Sequence, residues 1–269
     1  MKHVLSIQDL SCTGRCSLTV ALPTLSAMGC RCTVLPTALL SSHTGFPDPY
    51  RKSLTGDIAP IADHWQTLGL QFDGIGVGYL ADPEQAEAVE GVLSRFSAPL
   101  VLDPAMADHG KLYRSVVPEQ VAAMARLCKR ADVVLPNVTE AAMLSGLPYR
   151  ENPEEGYLQE LTQGLLALGA KAAVITGVSG KGGTVGFFGF DGQQEFSYRA
   201  DEVPLHSHGT GDLFAAVVLG GLMAEKSLYD SACLAAGFVE RCLRATPKAS
   251  PHGVDFESQL SYLMQVGDA

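Results

Sequence analysis

Short apolar runs alternate along most of the chain with longer stretches in which apolar residues recur at helical spacing. Such runs are typical of strands buried on both faces, and their alternation with helices predicts parallel strands joined by helical crossovers. The predicted strands occupy 4–7, 32–40, 74–80, 100–102, 133–135 and 172–176, and the predicted helices occupy 15–28, 57–68, 83–96 and 118–130, with another helix opened by the loop 136–140.

The pattern changes after residue 183. Residues 184–190 and 195–198 are apolar and aromatic, and Asp191-Gly192 between them is a turn sequence typical of hairpins. We therefore expect two antiparallel strands at one edge of the sheet. The chain is expected to end in three helices, at 210–224, 228–244 and about 255–265.

Length and composition fit one large domain. The chain has 269 residues and is 46% hydrophobic, which is ample for a sizeable core. Together with the strand and helix pattern, this predicts a single α/β domain over residues 1–269, with a mostly parallel sheet and an antiparallel hairpin at one edge.

Charge and hydropathy exclude several classes of partner. The formal net charge is −10, whereas nucleic acids and anionic membranes are held mainly by clustered Lys and Arg. The N-terminus has no long apolar segment, and no run of about 18 uncharged apolar residues suggests a membrane span. We therefore expect a cytoplasmic protein that binds neither nucleic acid nor membrane.

The seven cysteines show no paired C-x-x-C spacing, so neither a disulfide framework nor a structural zinc site is indicated. Cys12 and Cys16 flank a glycine-containing turn close to the expected substrate end. A reactive thiol and a packing role are both open for these two residues.

Polar residues follow the predicted strands, at the edge where ligands bind in open parallel sheets. The topology would bring them together although they are scattered along the sequence. Two nucleotide-binding fingerprints are absent, since 74–78 lacks the glycine spacing of a dinucleotide site and 177–183 lacks the Walker A lysine. The polar positions are Gln8, Ser11, 42–44, Tyr79, 103–108, 137–140, 176–179 and 209–212.

The turn 209–212, Gly-Thr-Gly-Asp, leads directly into an apolar helix. Free N–H groups and a positive macrodipole make such a helix start a natural anion site. A carboxylate there would repel an anion, unless Asp212 accepts the proton of a hydroxyl that attacks a phosphate. The alternative is that the turn is only a helix cap.

Three carboxylates lie near the same edge of the predicted sheet. Asp103 and Glu140 follow neighbouring strands, and Asp108 lies a few residues beyond Asp103. Hard oxygen ligands in this position suit Mg²⁺ held between nucleotide phosphates. Capping is the alternative, especially for Glu140 in the first turn of its helix.

Taken in order, these motifs resemble the ribokinase-like superfamily and, within it, the pyridoxal kinase family. The resemblance spans about residues 4–245 and implies a three-layer α/β/α fold. It also implies ATP-dependent phosphorylation of the 5′-hydroxyl of pyridoxal, pyridoxamine or pyridoxine. The motifs are Val4-Leu5-Ser6-Ile7-Gln8, Ser42-His43-Thr44-Gly45-Phe46, Gly78-Tyr79, Asp103-Pro104-x-Met106-x-Asp108, Pro136-Asn137-x-x-Glu140 and Gly209-Thr210-Gly211-Asp212-Leu213-Phe214-Ala215-Ala216.

The resemblance also implies roles for single residues. Asp212 would be the base toward the substrate hydroxyl, and the backbone of Gly209, Thr210 and Gly211 would form the anion hole. Residues 107–115 would form a flap over the site. Substrate contacts are implied for Ser6, Thr44, Tyr79 and Asp212, nucleotide contacts for Asn137, Thr176, Gly177, Val203, Ser207, Gly209 and Gly211, and Mg²⁺ coordination for Asp103, Asp108 and Glu140.

The implied cofactors are ATP and Mg²⁺, with a monovalent cation left open, and the implied assembly is a homodimer. A hydroxymethylpyrimidine kinase is the nearest alternative, although relatives of that kind commonly carry Gly-Thr-Gly-Cys where this chain has Gly-Thr-Gly-Asp. A sugar kinase would need an early glycine-rich motif that is missing. A nonenzymatic B6-binding protein of the same fold is the alternative from another class.

Overall fold

The computed structural model describes residues 1–248 and 250–267, and residues 249, 268 and 269 of the predicted domain lie outside them. Within this part of the chain, a nine-stranded sheet has the order β11-β10-β9-β8-β5-β4-β1-β2-β3, and β6 and β7 form a separate hairpin. The strands are β1 (His3–Ser11), β2 (Arg31–Leu40), β3 (Arg51–Ser53), β4 (Gly74–Val77), β5 (Leu100–Leu102), β6 (Ala107–Asp108), β7 (Lys111–Leu112), β8 (Val133–Val134), β9 (Ala172–Gly180), β10 (Thr184–Phe190) and β11 (Glu195–Asp201).

Helices cover both faces of this sheet. None of the described helices is long and apolar enough to cross a membrane. A short 3-10 turn at Glu257–Gln259 precedes the last helix. The helices are α1 (Leu18–Ala27), α2 (Thr55–Thr67), α3 (Gln85–Arg95), α4 (Glu119–Cys128), α5 (Val138–Ser145), α6 (Glu155–Ala167), α7 (Thr210–Met223), α8 (Leu228–Ala245) and α9 (Leu260–Gly267).

The centre of the sheet is parallel, from β9 through β8, β5, β4 and β1 to β2. Alternate strand residues face opposite sides, so Leu5 and Ile7 pack in one apolar cluster and Val4 in the other. The first cluster holds residues of α2 to α6, and the second holds residues of α1, α7, α8 and α9. The α/β expectation is confirmed, as is the antiparallel hairpin β10–β11 at one edge.

Close packing of α7 on β4 accounts for the glycines of the 74–78 segment. A Cβ atom at Gly74 would lie 2.8 Å from Met223 Cε, and one at Gly76 would lie 3.1 Å from Leu219 Cδ2. Glycine therefore lets α7 approach the middle of the sheet. This contact positions the start of α7 at the carboxyl ends of the central strands.

Several elements differ from the sequence expectations. Strand β1 continues through Ser11 because β2 keeps pairing with it past a bulge, with Ser11 opposite Leu40. Residues 103–115, expected to be a loop, contain the hairpin β6–β7. Strand β3 and helix α6 were not predicted. Glycines at 156 and 164 weaken the helical signal of α6, although Leu158, Leu161 and Leu165 are buried at helical spacing.

Candidate active site

A cavity of about 370 Å³ opens at the carboxyl ends of the parallel strands. Its wall is built by the ends of β1 and β2 and the segments that follow them, by the loops after β4, β5 and β8, by Thr176 of β9, and by residues 207–214 at the start of α7. The topology thus brings together most of the residues singled out from the sequence. Those on the wall are Thr44, Tyr79, Asp103, Asp108, Asn137, Glu140, Thr176, Ser207, Gly209, Thr210, Gly211 and Asp212.

Three of the predicted site residues do not line this cavity. Ser6 is buried deeper on β1, where it accepts a hydrogen bond of 2.9 Å from Gln8 Nε2. It lines a small internal cavity of about 20 Å³ that shares Asp103 and Asp212 with the main one. Gly177 is exposed with φ of 66°, and Val203 is half-buried in the loop before α7.

The turn before α7 is built so that only glycine fits its first position. Gly209 has φ of 84°, and a Cβ atom there would lie 2.2 Å from the carbonyl oxygen of Arg15. The first intrahelical bond runs from Leu213 N–H to Gly209 O at 3.0 Å. The N–H groups of residues 210–212 precede that bond and have no intrahelical acceptor, which leaves three donors at the cavity wall.

The half-buried Asp212 lies beside these donors. Burial raises its pKa to about 6, and the nearby carboxyl group of Asp9 contributes in the same direction. Ser17 opposes this by hydrogen bonding from its backbone N–H and its hydroxyl. An aspartate with a pKa near 6 is a better proton acceptor at neutral pH than an ordinary exposed one.

Ser17 caps α1 in a strained backbone conformation. Its φ of 47° and ψ of −126° lie outside the regions that non-glycine residues prefer. Its hydroxyl lies between the carboxyl groups of Asp9 and Asp212. The strain therefore coincides with a contact to the proposed base. Sequence reasoning missed Ser17 because the helix was expected to begin at residue 15.

Asp9 also lies on the cavity wall and was missed from the sequence. It follows the apolar run of β1 directly, and Ser11 Oγ donates a hydrogen bond of 3.1 Å to its Oδ2. Burial raises its pKa. Its position after a buried strand was a usable signal, since Gln8 and Ser11 on either side were recognised on that ground.

Asp103 and Glu140 form an acidic centre opposite Asp212. The pKa of Asp103 is raised well above its usual value, first by burial and then by Glu140 and Asp212. Burial raises the pKa of Glu140 to about 7, although backbone N–H groups partly offset this. A Cβ atom at Gly211 would lie 3.8 Å from Asp103 Oδ2, so this carboxylate is close to the anion-binding turn.

Glu140 also has the capping role that was weighed as its alternative. Its Oε2 accepts from Asn137 N–H at 2.9 Å, and Asn137 Oδ1 accepts from Glu140 N–H at 2.9 Å, which is a capping box. Its Oε1 accepts from the N–H groups of Met106 and Ala107 at 3.0 and 3.3 Å. Glu140 therefore fastens the base of the flap to α5.

The three acidic residues do not converge on one point. Within residues 1–248 and 250–267, no group of three His, Cys, Asp or Glu side chains could hold a metal ion by itself. Asp108 is exposed and turns toward His109, with Oδ2 3.5 Å from His109 Nε2. A Mg²⁺ bound through one or two carboxylates and substrate phosphates would still fit the half-buried Asp103 on the cavity wall.

The cavity wall also carries Tyr79, Thr44 and His43. The Tyr79 hydroxyl lies 3.1 Å from Ser115 Oγ. Burial raises the pKa of Tyr79. His43 Nδ1 accepts from Gly45 N–H, so Nε2 carries the proton donated to the carbonyl of Pro251. Burial lowers the pKa of His43, which is therefore neutral at pH 7.

Of the two cysteines flagged from the sequence, Cys16 lines the cavity and Cys12 is exposed away from its wall. Burial, followed by the charges of Asp212 and Asp9, raises the pKa of Cys16. Its sulfur is therefore a thiol at neutral pH, which favours the packing role.

Comparison with known proteins shows the family of the chain. The family model described as phosphomethylpyrimidine kinase matches residues 18–255. The chain belongs to this family. A crystal structure of a Bacteroides thetaiotaomicron protein described as a phosphomethylpyrimidine kinase, solved with pyridoxal, has 33% identity and a TM-score of 0.93, with coverage of 97% of this chain and 95% of that one.

Two further relatives of the kinase carry the name pyridoxal kinase. The structure of pyridoxal kinase from Lactobacillus plantarum has 32% identity and a TM-score of 0.92, with coverage of 100% of this chain and 98% of that one. Pyridoxal kinase from Arabidopsis thaliana is 28% identical over 91% of this chain and 82% of its own length. The expected membership in the pyridoxal kinase family of the ribokinase-like superfamily is confirmed.

Proposed function

We propose that the kinase transfers the γ-phosphoryl group of ATP to the 5′-hydroxyl of a B6 vitamer, giving the 5′-phosphate and ADP. The names of its relatives and the pyridoxal in the Bacteroides structure support this substrate class. One observation carries the chemistry. The half-buried carboxyl group of Asp212, with a pKa of about 6, lies beside three free N–H donors at the start of α7.

In this proposal Asp212 orients the attacking hydroxyl and accepts its proton. The free N–H groups at the start of α7, among them those of Thr210 and Gly211, stabilise the charge of the phosphoryl group during transfer. Because the transition state of phosphoryl transfer is loose, the proton leaves late and orientation matters as much as basicity. A general base of this kind contributes roughly 10²- to 10⁴-fold to the rate.

The metal role is proposed for Asp103, assisted by Glu140 and Asp108. Mg²⁺ bound there would neutralise phosphate charge during transfer. Five carboxylic acids line the cavity, so polyphosphate would be repelled without a cation. Asp103 is the candidate ligand with the strongest case, because Glu140 is engaged by backbone N–H groups and Asp108 turns toward His109.

We assign the two substrates to different parts of the cavity wall and call the part with Thr44 and Tyr79 the substrate end. Thr44 and Tyr79 are proposed to contact the vitamer ring, and Ser6 to act from behind the wall. Thr176 and Ser207 are proposed for the nucleotide, together with Asn137, Gly177 and Val203. The side-chain amide of Asn137 already donates a hydrogen bond from Nδ2 to Ala107 O at 2.8 Å. We therefore propose a smaller role in nucleotide binding for Asn137 than for Thr176 and Ser207.

Other expectations stay predictions. They are the single domain over residues 1–269, the cytoplasmic location, the homodimer, the dependence on Mg²⁺ and the open question of a monovalent cation. Size-exclusion chromatography with light scattering tests the homodimer. Turnover with and without Mg²⁺ and K⁺ tests the cation requirements.

A second function, phosphorylation of hydroxymethylpyrimidine, is favoured by the description of the matching family. The test is a substrate panel at fixed MgATP, comprising pyridoxal, pyridoxamine, pyridoxine, hydroxymethylpyrimidine and ribose, with ADP release as the readout and mass spectrometry of the product. The proposal predicts that kcat/KM is highest for a B6 vitamer. A higher kcat/KM for hydroxymethylpyrimidine, or no turnover of any vitamer, would reject it.

A further inference from the structure

The charges on the cavity wall are strongly unbalanced. Five carboxylic acids line the cavity, whereas Arg114 is the one Lys or Arg among the lining residues that the structure describes. His43 on the same wall is neutral. An anion that enters the substrate end therefore meets a single permanent positive charge.

The guanidinium group of Arg114 is also free. Among residues 1–248 and 250–267, it forms no ion pair and no hydrogen bond, whereas nearby Arg51 pairs with Asp82 at 3.0 Å. A guanidinium group offers five N–H donors in a planar fork that matches two oxygens of a phosphate. Arg114 therefore presents its full donor capacity to a ligand.

The backbone on both sides of Arg114 is anchored. Tyr113 N–H donates to Met106 O at 2.9 Å, which closes the base of the flap hairpin. Ser115 is held from two directions, by Tyr79 through the side-chain contact of 3.1 Å and by Arg51 Nη1 donating to Ser115 O at 3.3 Å. Arg114 thus lies on the cavity wall between two anchored residues, one of which, Ser115, contacts Tyr79 of the substrate end.

We propose that Arg114 binds the phosphoryl group once it is on the substrate, so that the kinase distinguishes the 5′-phosphate product from the unphosphorylated vitamer. The inference rests on the proposed function. Before transfer, the N–H groups of the α7 turn, and Mg²⁺ held by Asp103, would bind the phosphates of the nucleotide. After transfer, a phosphate dianion faces a wall with five carboxylic acids, and the guanidinium group of Arg114 on the same wall offsets part of that repulsion.

The test compares two ligands that lack an aldehyde, pyridoxine and pyridoxine 5′-phosphate, so that neither forms a Schiff base with lysines. Dissociation constants are measured by titration calorimetry for the wild type and for Arg114→Ala, Arg114→Lys and Lys52→Ala. Lys52 is exposed on β3 and lies off the cavity wall, so its removal controls for net charge.

Arg114→Ala is expected to weaken binding of pyridoxine 5′-phosphate by about 10- to 100-fold, the range for a charge-assisted contact, and to change pyridoxine binding by less than about twofold. Arg114→Lys restores part of the loss because it keeps the charge but not the fork. Lys52→Ala is expected to change the dissociation constant of neither ligand.

If Arg114→Ala weakened the binding of both ligands equally, Arg114 would have only a structural role and the inference would be overturned. Unchanged dissociation constants for both ligands would overturn it as well. These outcomes leave the proposed function intact if the wild type phosphorylates pyridoxine. A wild type that neither binds nor phosphorylates any vitamer overturns both.

Discussion

The carboxyl group of Asp212 lies at the N-terminal ends of two helices. It belongs to the first turn of α7 and also receives hydrogen bonds from Ser17, the cap of α1. Both helix ends stabilise the ionised carboxylate, whereas burial and Asp9 stabilise the protonated form. The net pKa of about 6 shows that burial prevails. The base is thus tuned by groups outside its own motif.

Removing the Ser17 hydroxyl tests this balance. The hydroxyl lowers the pKa of Asp212, so Ser17→Ala should raise that pKa from about 6. The acidic limb of the pH profile of kcat should therefore shift to higher pH, by up to about one unit.

Ser11→Ala is the control for Ser17→Ala, since Ser11 donates to Asp9 and not to Asp212. The Ser11 variant should keep the acidic limb close to that of the wild type. An unshifted profile for Ser17→Ala would show that Asp212 does not limit the acidic limb.

At the scale of elements, the start of α7 depends on the close approach of Gly209 to the loop before α1. Gly209→Ala adds a Cβ atom 2.2 Å from Arg15 O in a residue with φ of 84°. The turn must shift, so kcat should fall by roughly 10²-fold or more, as for the loss of one anion-hole donor. Steady-state kinetics and the thermal midpoint Tm measure the change.

Gly182→Ala is the matched control for that substitution. Gly182 has a similar φ of 78°, but a Cβ atom there would meet nothing within 4 Å. Both variants carry the cost of a positive φ, about 1 kcal/mol, and only Gly209→Ala carries the clash. Equal kcat values in the two variants would contradict the assigned role of the turn.

His43 connects three loops around the substrate end. Its backbone N–H donates to Thr13 O at 3.0 Å, its ring binds Gly45 and Pro251, and it packs 4.7 Å from the His208 ring. Burial holds its pKa below 6.5 in the folded state. As pH falls below about 6.5, the unfolded chain takes up a proton that the folded chain resists, and the free energy of unfolding declines.

His43→Phe removes this proton uptake. Urea unfolding between about pH 5 and 7.5 should therefore give a shallower pH dependence for His43→Phe than for the wild type, by at most about 1.4 kcal/mol per pH unit. His64→Phe, at an exposed position on α2, should keep the wild-type slope. Equal slopes for the wild type and His43→Phe would show that His43 is not held neutral.

At the scale of the whole molecule, the strand–helix alternation was sufficient to predict the α/β class and the edge hairpin. Apolar periodicity reports burial, and each central strand here is buried on both faces. The hairpin β6–β7 was missed because its two-residue strands carry no periodic signal. Helix α6 was missed because its glycines and charges dilute its apolar stripe.

The candidate site was predicted in outline for the same reason. Polar residues after parallel strands meet at one edge, so the cavity wall could be predicted without distances. How deeply each residue lies below the cavity surface was not predictable, and Ser6 proved to lie behind the cavity wall. The Ser17 cap and the free Arg114 were also missed, since a strained backbone and an unpaired guanidinium group leave no mark in a sequence.

Asp212 is proposed to act on a substrate hydroxyl at the α7 turn. The most direct measurement is the single-turnover rate of pyridoxal phosphorylation with MgATP for the wild type and Asp212→Asn, with Tm as the control for folding. The account predicts a rate lower by roughly 10²- to 10⁴-fold with Tm nearly unchanged. A near-normal rate in Asp212→Asn would contradict it.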